Sequence, residues 1–269
     1  MRRTTIATLA IALSCAIPGT TANAEPAASA ASVASTTESS AAASSPAASS
    51  KRVRVIGKSQ RGRPIRAWRI GSRKAKRKVV VLAAMHGNEL APRRILHSLR
   101  KRRNIRRVDM WIVPTVNPDG ARRHRRKNAR GVDLNRNFPV RWKDLDGKYE
   151  SGVRPRSERE TRVLMRFLRR VNPRYVVSFH QPLYGVDVST RKSRRLARRL
   201  SRQLNLPKKR FTCSGGCNGT MTQWFNKRRR GIAVTVELGR SPSKRYLTRV
   251  APRGLLRAVR PKRLGGFQP

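Results

Sequence analysis

Residues 79–89 read Val-Val-Val-Leu-Ala-Ala-Met-His-Gly-Asn-Glu. The apolar, β-branched start of this stretch predicts a buried strand over 78–85. Apolar residues recur with helical spacing over 90–99, which predicts a helix, with His86 at the end of the strand and Glu89 in the first helical turn. Such a histidine and carboxylate can bind one face of a zinc ion. Alone, His-x-x-Glu is a weak motif, because a surface histidine and a capping glutamate give the same pattern.

Apolar runs and amphipathic segments alternate along the rest of the chain. Strands are predicted at 52–58, 64–70, 108–116, 175–179 and 232–238, a turn at 117–120, and helices at 157–171 and 191–204. Ser157 and Glu160 have the spacing of a capping box at the start of the first of these helices. The alternation predicts an α/β fold with a mixed, largely parallel central β-sheet flanked by helices.

The chain is strongly basic, with 64 Lys and Arg against 13 Asp and Glu in 269 residues and a formal net charge of +51. The basic runs are spread along the whole sequence, which predicts a generally basic surface. An anionic partner such as a cell-wall polymer, a membrane surface or a nucleic acid is compatible with this charge. A general drift of the amino-acid composition towards arginine on a solvated surface explains the high net charge equally well. Aromatic residues make up 5% of the chain and no stacking motif is present, so no specific nucleic-acid motif is found.

The first 24 residues have the pattern of a secretory signal peptide. A short basic start is followed by an apolar run over 6–17 and by Ala-Asn-Ala at 22–24. The run is too short for a membrane span. Cys15 allows a lipoprotein interpretation, although the preceding residues match a lipobox poorly. We therefore expect a secreted, extracellular protein, for which an association with the cell wall is compatible with the charge.

Two further parts of the chain follow the signal. Residues 25–50 are almost entirely Ala, Ser, Thr and Pro, the composition of a flexible linker, and 51–269 has the length of one catalytic domain. In a secreted chain, the closely spaced Cys213 and Cys217 suggest a disulfide. A soft-metal site is the alternative, but it lacks neighbouring ligands.

Polar residues follow four of the apolar runs. They are His86, Asn117 with Asp119, His180 and Glu237, and strand ends of this kind can meet at one site. His180 supplies the third ligand that a catalytic zinc site needs beside an open position. A carboxylate inside an apolar strand is costly without a role, so Glu237 suits a general base acting on water beside the metal.

Two longer motifs lie between these residues: Asn-Pro-Asp-Gly at 117–120 and an arginine-rich stretch ending in Asp-Leu-Asn-Arg-Asn at 133–137. Together with His-x-x-Glu, the distant histidine and the late glutamate, they occur in the order found in zinc metallocarboxypeptidases of the carboxypeptidase A type. The chain resembles that family over about 75–240. The resemblance implies a hydrolase with this fold and one zinc ion.

The resemblance also implies roles for individual residues. His86, Glu89 and His180 would bind zinc, Asp133 would orient His86, Arg126 would stabilise the oxyanion, Asn135 and Arg136 would bind the substrate's terminal carboxylate, and Glu237 would be the general base. A tyrosine that caps the substrate in the digestive enzymes has no counterpart ahead of the Gly219–Trp224 stretch. Met221 and Thr222 are the candidates for the side-chain specificity position, and neither is acidic.

The stretch 180–187 and the compact length look more like the bacterial murein-peptide amidases of this family, which cleave γ-D-glutamyl–diaminopimelate bonds. This resemblance implies a peptidoglycan stem-peptide substrate, whose extra amine Asp187 would face, although Asp187 equally suits a turn. A conventional carboxypeptidase acting on protein C-termini is the main alternative. A catalytically inactive protein that binds the cell wall or a polyanion is a third, but no catalytic residue of the pattern is missing.

Overall fold

A computed structural model of the protein describes residues 52–102, 105–212 and 217–261. The predicted signal peptide, the predicted linker and Cys213 lie outside these residues, so the signal, the linker and the disulfide stay predictions. Within the described ranges, no helix has both the length and the apolar character needed to cross a membrane.

One eight-stranded sheet forms the centre of the part of the chain that the structure describes. Its strands are β1 (Arg52–Lys58), β2 (Pro64–Gly71), β3 (Lys78–Leu82), β4 (Asp109–Val113), β5 (Tyr175–His180), β6 (Gly185–Asp187), β7 (Lys208–Lys209) and β8 (Ile232–Glu237). They lie in the order β1-β2-β4-β3-β5-β8-β6-β7. The four central strands, β4, β3, β5 and β8, are parallel to one another. The pairs β1–β2, β2–β4 and β6–β8 are antiparallel, and β6 pairs parallel with β7. The predicted mixed, largely parallel sheet is confirmed.

Helices cover both faces of the sheet. They are α1 (Pro92–Lys101), α2 (Pro118–Arg122), α3 (Arg159–Val171), α4 (Arg194–Leu204), α5 (Met221–Arg228) and α6 (Ala251–Val259). Alternate residues of β3 enter two separate cores, since successive strand side chains point to opposite faces. Val79 and Val81 pack in the core that contains α1, α4 and α6, and Val80 and Leu82 in the core that contains α3 and α5.

The chain leaves the central strand earlier than the sequence predicts. Strand β3 ends at Leu82, and Ala84 adopts a left-handed backbone conformation with φ 47°. Such a conformation is uncommon for a residue with a side chain and ends the extended run. The prediction that Glu89 lies in the first helical turn is wrong, because α1 begins only at Pro92 and Glu89 lies in the preceding turn.

Two local predictions about helix starts are also wrong. The Ser157–Glu160 capping box does not form: α3 begins at Arg159, and Glu160 instead accepts hydrogen bonds from the backbone of Gln60 and the amide of Asn128. Residues 117–120 were expected to be a turn, but they open the short helix α2, in which the side chain of Asn117 accepts a hydrogen bond from the Gly120 amide.

Candidate metal centre and active site

Three buried side chains from separate parts of the chain meet at the carboxyl ends of β3 and β5. His86 and Glu89 lie in the turn between β3 and α1, and His180 is the last residue of β5. One nitrogen or oxygen atom of each residue lies within 4.8 Å of the others. The predicted ligand set is thereby brought together.

The inner atoms of this cluster are the Nδ1 atoms of both histidines. Nδ1 of His86 lies 2.7 Å from Oε1 of Glu89, and Nδ1 of His180 lies 2.8 Å from Oε2 of the same carboxylate. The two Nδ1 atoms are 3.3 Å apart. Two imidazole nitrogens and a carboxylate that share one centre form the donor set of a catalytic zinc site.

The outer nitrogens of the two rings have partners of their own. Nε2 of His86 lies 3.0 Å from Oδ1 of Asp133, the residue to which the family resemblance assigns the orientation of this ring. Nε2 of His180 lies 3.0 Å from Oγ of Ser178. Partners of this kind fix the ring and its tautomer, leaving the inner nitrogen to bind a metal. Sequence reasoning missed Ser178; its position two residues before His180, on the same face of β5, was the available signal.

The electrostatics of the cluster favour additional positive charge at its centre. Burial alone lowers the pKa of His86, but the charges of Glu89 and Asp133 outweigh it and raise this pKa to about 9. Burial alone raises the pKa of the Glu89 and Asp133 carboxyls. The positive charge of the histidines that face them outweighs burial and lowers both pKa values. A buried pocket that stabilises carboxylates and attracts protons fits a bound dication.

A close backbone contact joins the metal-ligand turn to the loop that carries Arg126. A Cβ atom on Gly87 would lie 2.0 Å from the carbonyl carbon of Gly120, so a larger residue cannot be accommodated there. The Gly87 amide donates to the Arg126 carbonyl at 3.2 Å, and the side-chain amide of Asn117 contacts the same carbonyl at 3.4 Å. Gly87 and Asn117 therefore position Arg126 beside the ligands.

Arg126 is oriented by Asp133 and faces the metal ligands. Its Nε and Nη2 atoms donate to Oδ2 of Asp133 at 2.9 and 2.7 Å. Nη1 lies 3.6 Å from Oε1 of Glu89 and 3.3 Å from Nδ1 of His86. This arrangement suits a cation that stabilises negative charge next to a metal.

The predicted carboxylate-binding pair, Asn135 and Arg136, lines a cleft together with the metal ligands His86 and Glu89. Arg136 is buried, and its Nε atom has no hydrogen-bond partner among the described residues. Oδ1 of Asn135 accepts from the Met221 amide at 3.0 Å, which fixes that side chain. The ring of Tyr149, which sequence reasoning missed, lies 4.8 Å from the Arg136 guanidinium and 5.5 Å from that of Arg126. A buried guanidinium with a free donor is suited to bind a substrate carboxylate.

Glu237 faces the cluster from the neighbouring strand. It is the last residue of β8 and pairs in register with His180 of β5. Oε2 of Glu237 accepts a 3.4 Å hydrogen bond from the Leu183 amide. Burial raises the pKa of the Glu237 carboxyl, and the charge of Glu89 raises it further. A carboxylate of increased basicity beside a metal site suits the predicted general base.

One cleft of about 410 Å³ is lined by His86, Glu89, Arg126, Asn135, Arg136, Tyr149 and Glu237. The cleft is also lined by Asp187, Thr222, Ala233 and Thr235. Met221 is buried and does not line the cleft, so Thr222 is the better candidate for the specificity position. Asp187 also holds a turn, since Oδ1 accepts from the Ser189 amide at 2.9 Å.

Asp119 does not join the site, although the sequence grouped it with the polar strand ends. Its carboxylate accepts hydrogen bonds from the Arg61 amide at 3.0 Å and from Arg63 at 2.7 Å. It therefore holds the β1–β2 turn.

A model of the zinc carboxypeptidase family matches residues 42–184, more than half of the chain. The chain belongs to the zinc carboxypeptidase family. Its membership establishes a hydrolytic enzyme of a zinc-dependent family, and the two histidines and the carboxylate fit that metal.

Curated relatives of this zinc carboxypeptidase include murein peptide amidases. Murein peptide amidase A of Escherichia coli strain K12 is 34% identical over 153 residues, which cover 49% of this chain and 60% of the relative. The protein of that name from Vibrio campbellii is 32% identical over 142 residues, covering 48% of this chain and 56% of the relative. The matched segment thus spans less than two thirds of either relative.

Solved structures show the same fold. Murein-tripeptide amidase from Escherichia coli O157 superposes with a TM-score of 0.64 at 29% identity, over 78% of this chain and 93% of that chain. Carboxypeptidase A from Helicoverpa armigera gives a TM-score of 0.61 at 19% identity, over 77% and 64% of the two chains. The second likeness concerns the fold alone.

Proposed function

We propose that this zinc carboxypeptidase is a secreted peptidase that hydrolyses the γ-D-glutamyl–diaminopimelate bond of peptidoglycan stem peptides. The observation that carries the proposal is the set of charges in the cleft. Arg136 and Asn135 are suited to a free carboxylate, and Asp187 lines the same cleft as a partner for an amine. The diaminopimelate end of a stem peptide carries both groups. The likeness to murein peptide amidases supports the same substrate.

The cleft residues divide the reaction among them. Zinc held by His86, Glu89 and His180 would supply a Lewis acid that polarises water and the scissile carbonyl. Glu237 takes a proton from the attacking water and passes it to the leaving amine. Arg126 stabilises the negative charge that develops on the carbonyl oxygen.

The proposed place of action is outside the cytoplasm. The basic start, apolar run and Ala-Asn-Ala of residues 1–24 support secretion. The peptidoglycan substrate lies in the compartment that a secreted enzyme reaches, so the two parts of the proposal agree.

The test is a parallel digestion of purified muropeptides and a library of C-terminal peptides, analysed by mass spectrometry. The proposal expects release of the diaminopimelate-containing fragment and little trimming of the library. Efficient trimming with intact muropeptides would instead support a conventional carboxypeptidase. No cleavage of either set by zinc-loaded protein would support the inactive binding protein.

A pair of variants tests the amine contact. Asp187→Asn should reduce kcat/KM on muropeptides about tenfold or more, because it removes a charge-assisted contact. Acetylation of the substrate's side-chain amine should give a similar loss with the wild-type enzyme and little further loss with the variant. Asp144→Asn, which changes an exposed carboxylate that does not line the cleft, is the matched control. Equal losses in both variants would contradict this role for Asp187.

A further inference from the structure

A second cleft lies at the opposite end of the parallel strands from the metal site. Tyr175 and Ile232 are the first residues of β5 and β8, and both line this cleft, which has a volume of about 610 Å³. It shares no lining residue with the active-site cleft. We call it the arginine cleft, and its lining residues are Arg77, Arg107, Arg174, Tyr175, Arg195, Leu196, Arg199, Ile232 and Pro261.

One tyrosine ring lies at the centre of the arginine cleft. The guanidinium carbons of Arg77, Arg199 and Arg174 lie 5.4, 5.7 and 5.9 Å from the ring centroid of Tyr175. Nη2 of Arg199 also donates to the tyrosine hydroxyl at 3.3 Å. These arginines come from three distant parts of the sequence, so the fold itself assembles the cluster.

The cluster brings the positive charges of Arg77, Arg174 and Arg199 close together around one ring. No described residue that lines the cleft is an aspartate or glutamate. The Nε atom of Arg199 is buried and has no hydrogen-bond partner among the described residues. Burial would raise the pKa of Tyr175, but the hydrogen bond and charge of Arg199 lower it overall. Converging guanidinium groups repel one another, so an anion bound between them would stabilise the fold.

The chemistry of the lining indicates the kind of anion. Guanidinium groups match the oxygen geometry of phosphate and donate to it in pairs. An adjoining cavity of about 340 Å³ shares Arg77, Arg107, Arg174 and Pro261 with the cleft and adds Lys76, so the basic surface continues beyond one phosphate. Tyr175, the aromatic residue of the lining, is only 7% exposed and offers no open face on which a nucleic-acid base could stack.

We propose that the arginine cleft is a binding site for the phosphate groups of a polyol-phosphate polymer, separate from the active site. The site would hold the enzyme to an anionic polymer while the metal cleft remains open to its peptide substrate. The proposal does not depend on which peptide the active site cleaves.

The first experiment measures the affinity for tripolyphosphate at constant ionic strength. Arg195→Ala/Arg199→Ala removes two charges from the cleft, and Arg198→Ala/Arg202→Ala removes two exposed charges from the same helix, α4, outside the cleft. The cleft variant should bind about tenfold or more weakly, since each charge-assisted contact contributes substantially. The control should stay within about twofold. Equal weakening would show diffuse attraction to a basic surface and overturn the proposal.

Two further measurements separate binding from misfolding. Both double variants should cleave a short peptide at the wild-type rate and should have the circular dichroism spectrum of the wild type. If the cleft variant does not fold, Arg174→Gln replaces it, because Arg174 is exposed and lines the same cleft. Tripolyphosphate at about ten times its dissociation constant should raise the wild-type Tm by roughly 3–6 °C. No rise in Tm for the wild type would overturn the proposal.

A final comparison identifies the source of the phosphate. Poly(glycerol phosphate) should bind more tightly than an oligothymidylate with the same number of phosphates, and the preference should be lost in the cleft variant. Tighter binding of the oligothymidylate would overturn the polymer assignment in favour of a nucleic acid. Equal binding of monomeric glycerol phosphate and its polymer would overturn it in favour of a small phosphate ester.

Discussion

Oδ1 of Asp133 lies 3.0 Å from Nε2 of His86, deep in the protein, and so fixes the ring whose other nitrogen faces the metal centre. The second oxygen of the same carboxylate accepts two hydrogen bonds from Arg126. One buried side chain therefore sets both a metal ligand and the cation beside it. The two functions should respond together when Asp133 is changed.

Asp133→Asn should weaken zinc binding by about 10–100-fold, the usual effect of losing such a partner of a metal-ligating histidine. The measurement is competition with a chromogenic chelator. Asp109→Asn is the control, because Asp109 is equally buried and paired with Arg69 but does not line the cleft. Unchanged zinc affinity in Asp133→Asn would contradict its assigned role.

Arg136→Lys should retain zinc and weaken substrates that carry a free carboxylate, because lysine lacks the bidentate fork. We expect KM to rise roughly 10–100-fold, as for a lost charge-assisted hydrogen bond. Steady-state kinetics on a peptide with a free or an amidated terminus provide the test. Arg130→Lys changes an arginine that does not line the cleft and serves as control. Equal discrimination between the two peptides by wild type and Arg136→Lys would exclude this carboxylate contact.

Tyr149 should act through its ring, since the ring faces the guanidinium groups of Arg136 and Arg126. Tyr149→Ala should raise KM about 3–10-fold through the lost cation–π contact, with little change in kcat. Tyr149→Phe keeps the ring and should remain within about twofold of wild type. A phenylalanine variant as impaired as the alanine variant would show that the hydroxyl, not the ring, is required.

Glu160 should give the stability of the fold a specific pH dependence. Burial raises the pKa of its carboxyl above the ordinary 4.5, so the folded state binds a proton more tightly than the unfolded state. Ionisation of this buried carboxyl therefore lowers the free energy of unfolding of the wild type as pH rises from about 4.5. Glu160→Gln cannot ionise, so its free energy of unfolding minus that of the wild type should increase from pH 4 to pH 7, measured by urea unfolding. A difference that stays constant or moves the other way would contradict this assignment.

The sequence was sufficient for the parts of the fold that depend on local pattern. The apolar runs predicted β5 and β8 within a residue or so, and thereby the positions of His180 and Glu237. The pattern failed where tertiary contacts compete with local ones. Glu160 has capping-box spacing, but its carboxylate is used by Gln60 and Asn128, while the unpredicted pair Thr220 and Gln223 forms the capping box of α5.

Other parts of the candidate site have no signature in sequence spacing. Tyr149 reaches the cleft because the Asp133 amide donates to the Glu150 carbonyl at 2.7 Å, a contact between two irregular segments. The arginine cleft likewise joins residues that are far apart in a chain rich in arginine, where composition alone cannot distinguish a site from a solvated surface. The positions of side chains on long loops and at the starts of strands therefore could be found only from the three-dimensional fold.

The central claim is that Glu237 is the general base of a zinc peptidase. The most direct measurement is the turnover of zinc-loaded Glu237→Gln on a peptide that the wild type cleaves, with zinc content determined on the same sample. Glutamine keeps the size of the side chain but cannot take a proton from water. Zinc content and substrate affinity should be retained, and kcat should fall by a factor of roughly 10² or more. A kcat within a few-fold of wild type would contradict the account.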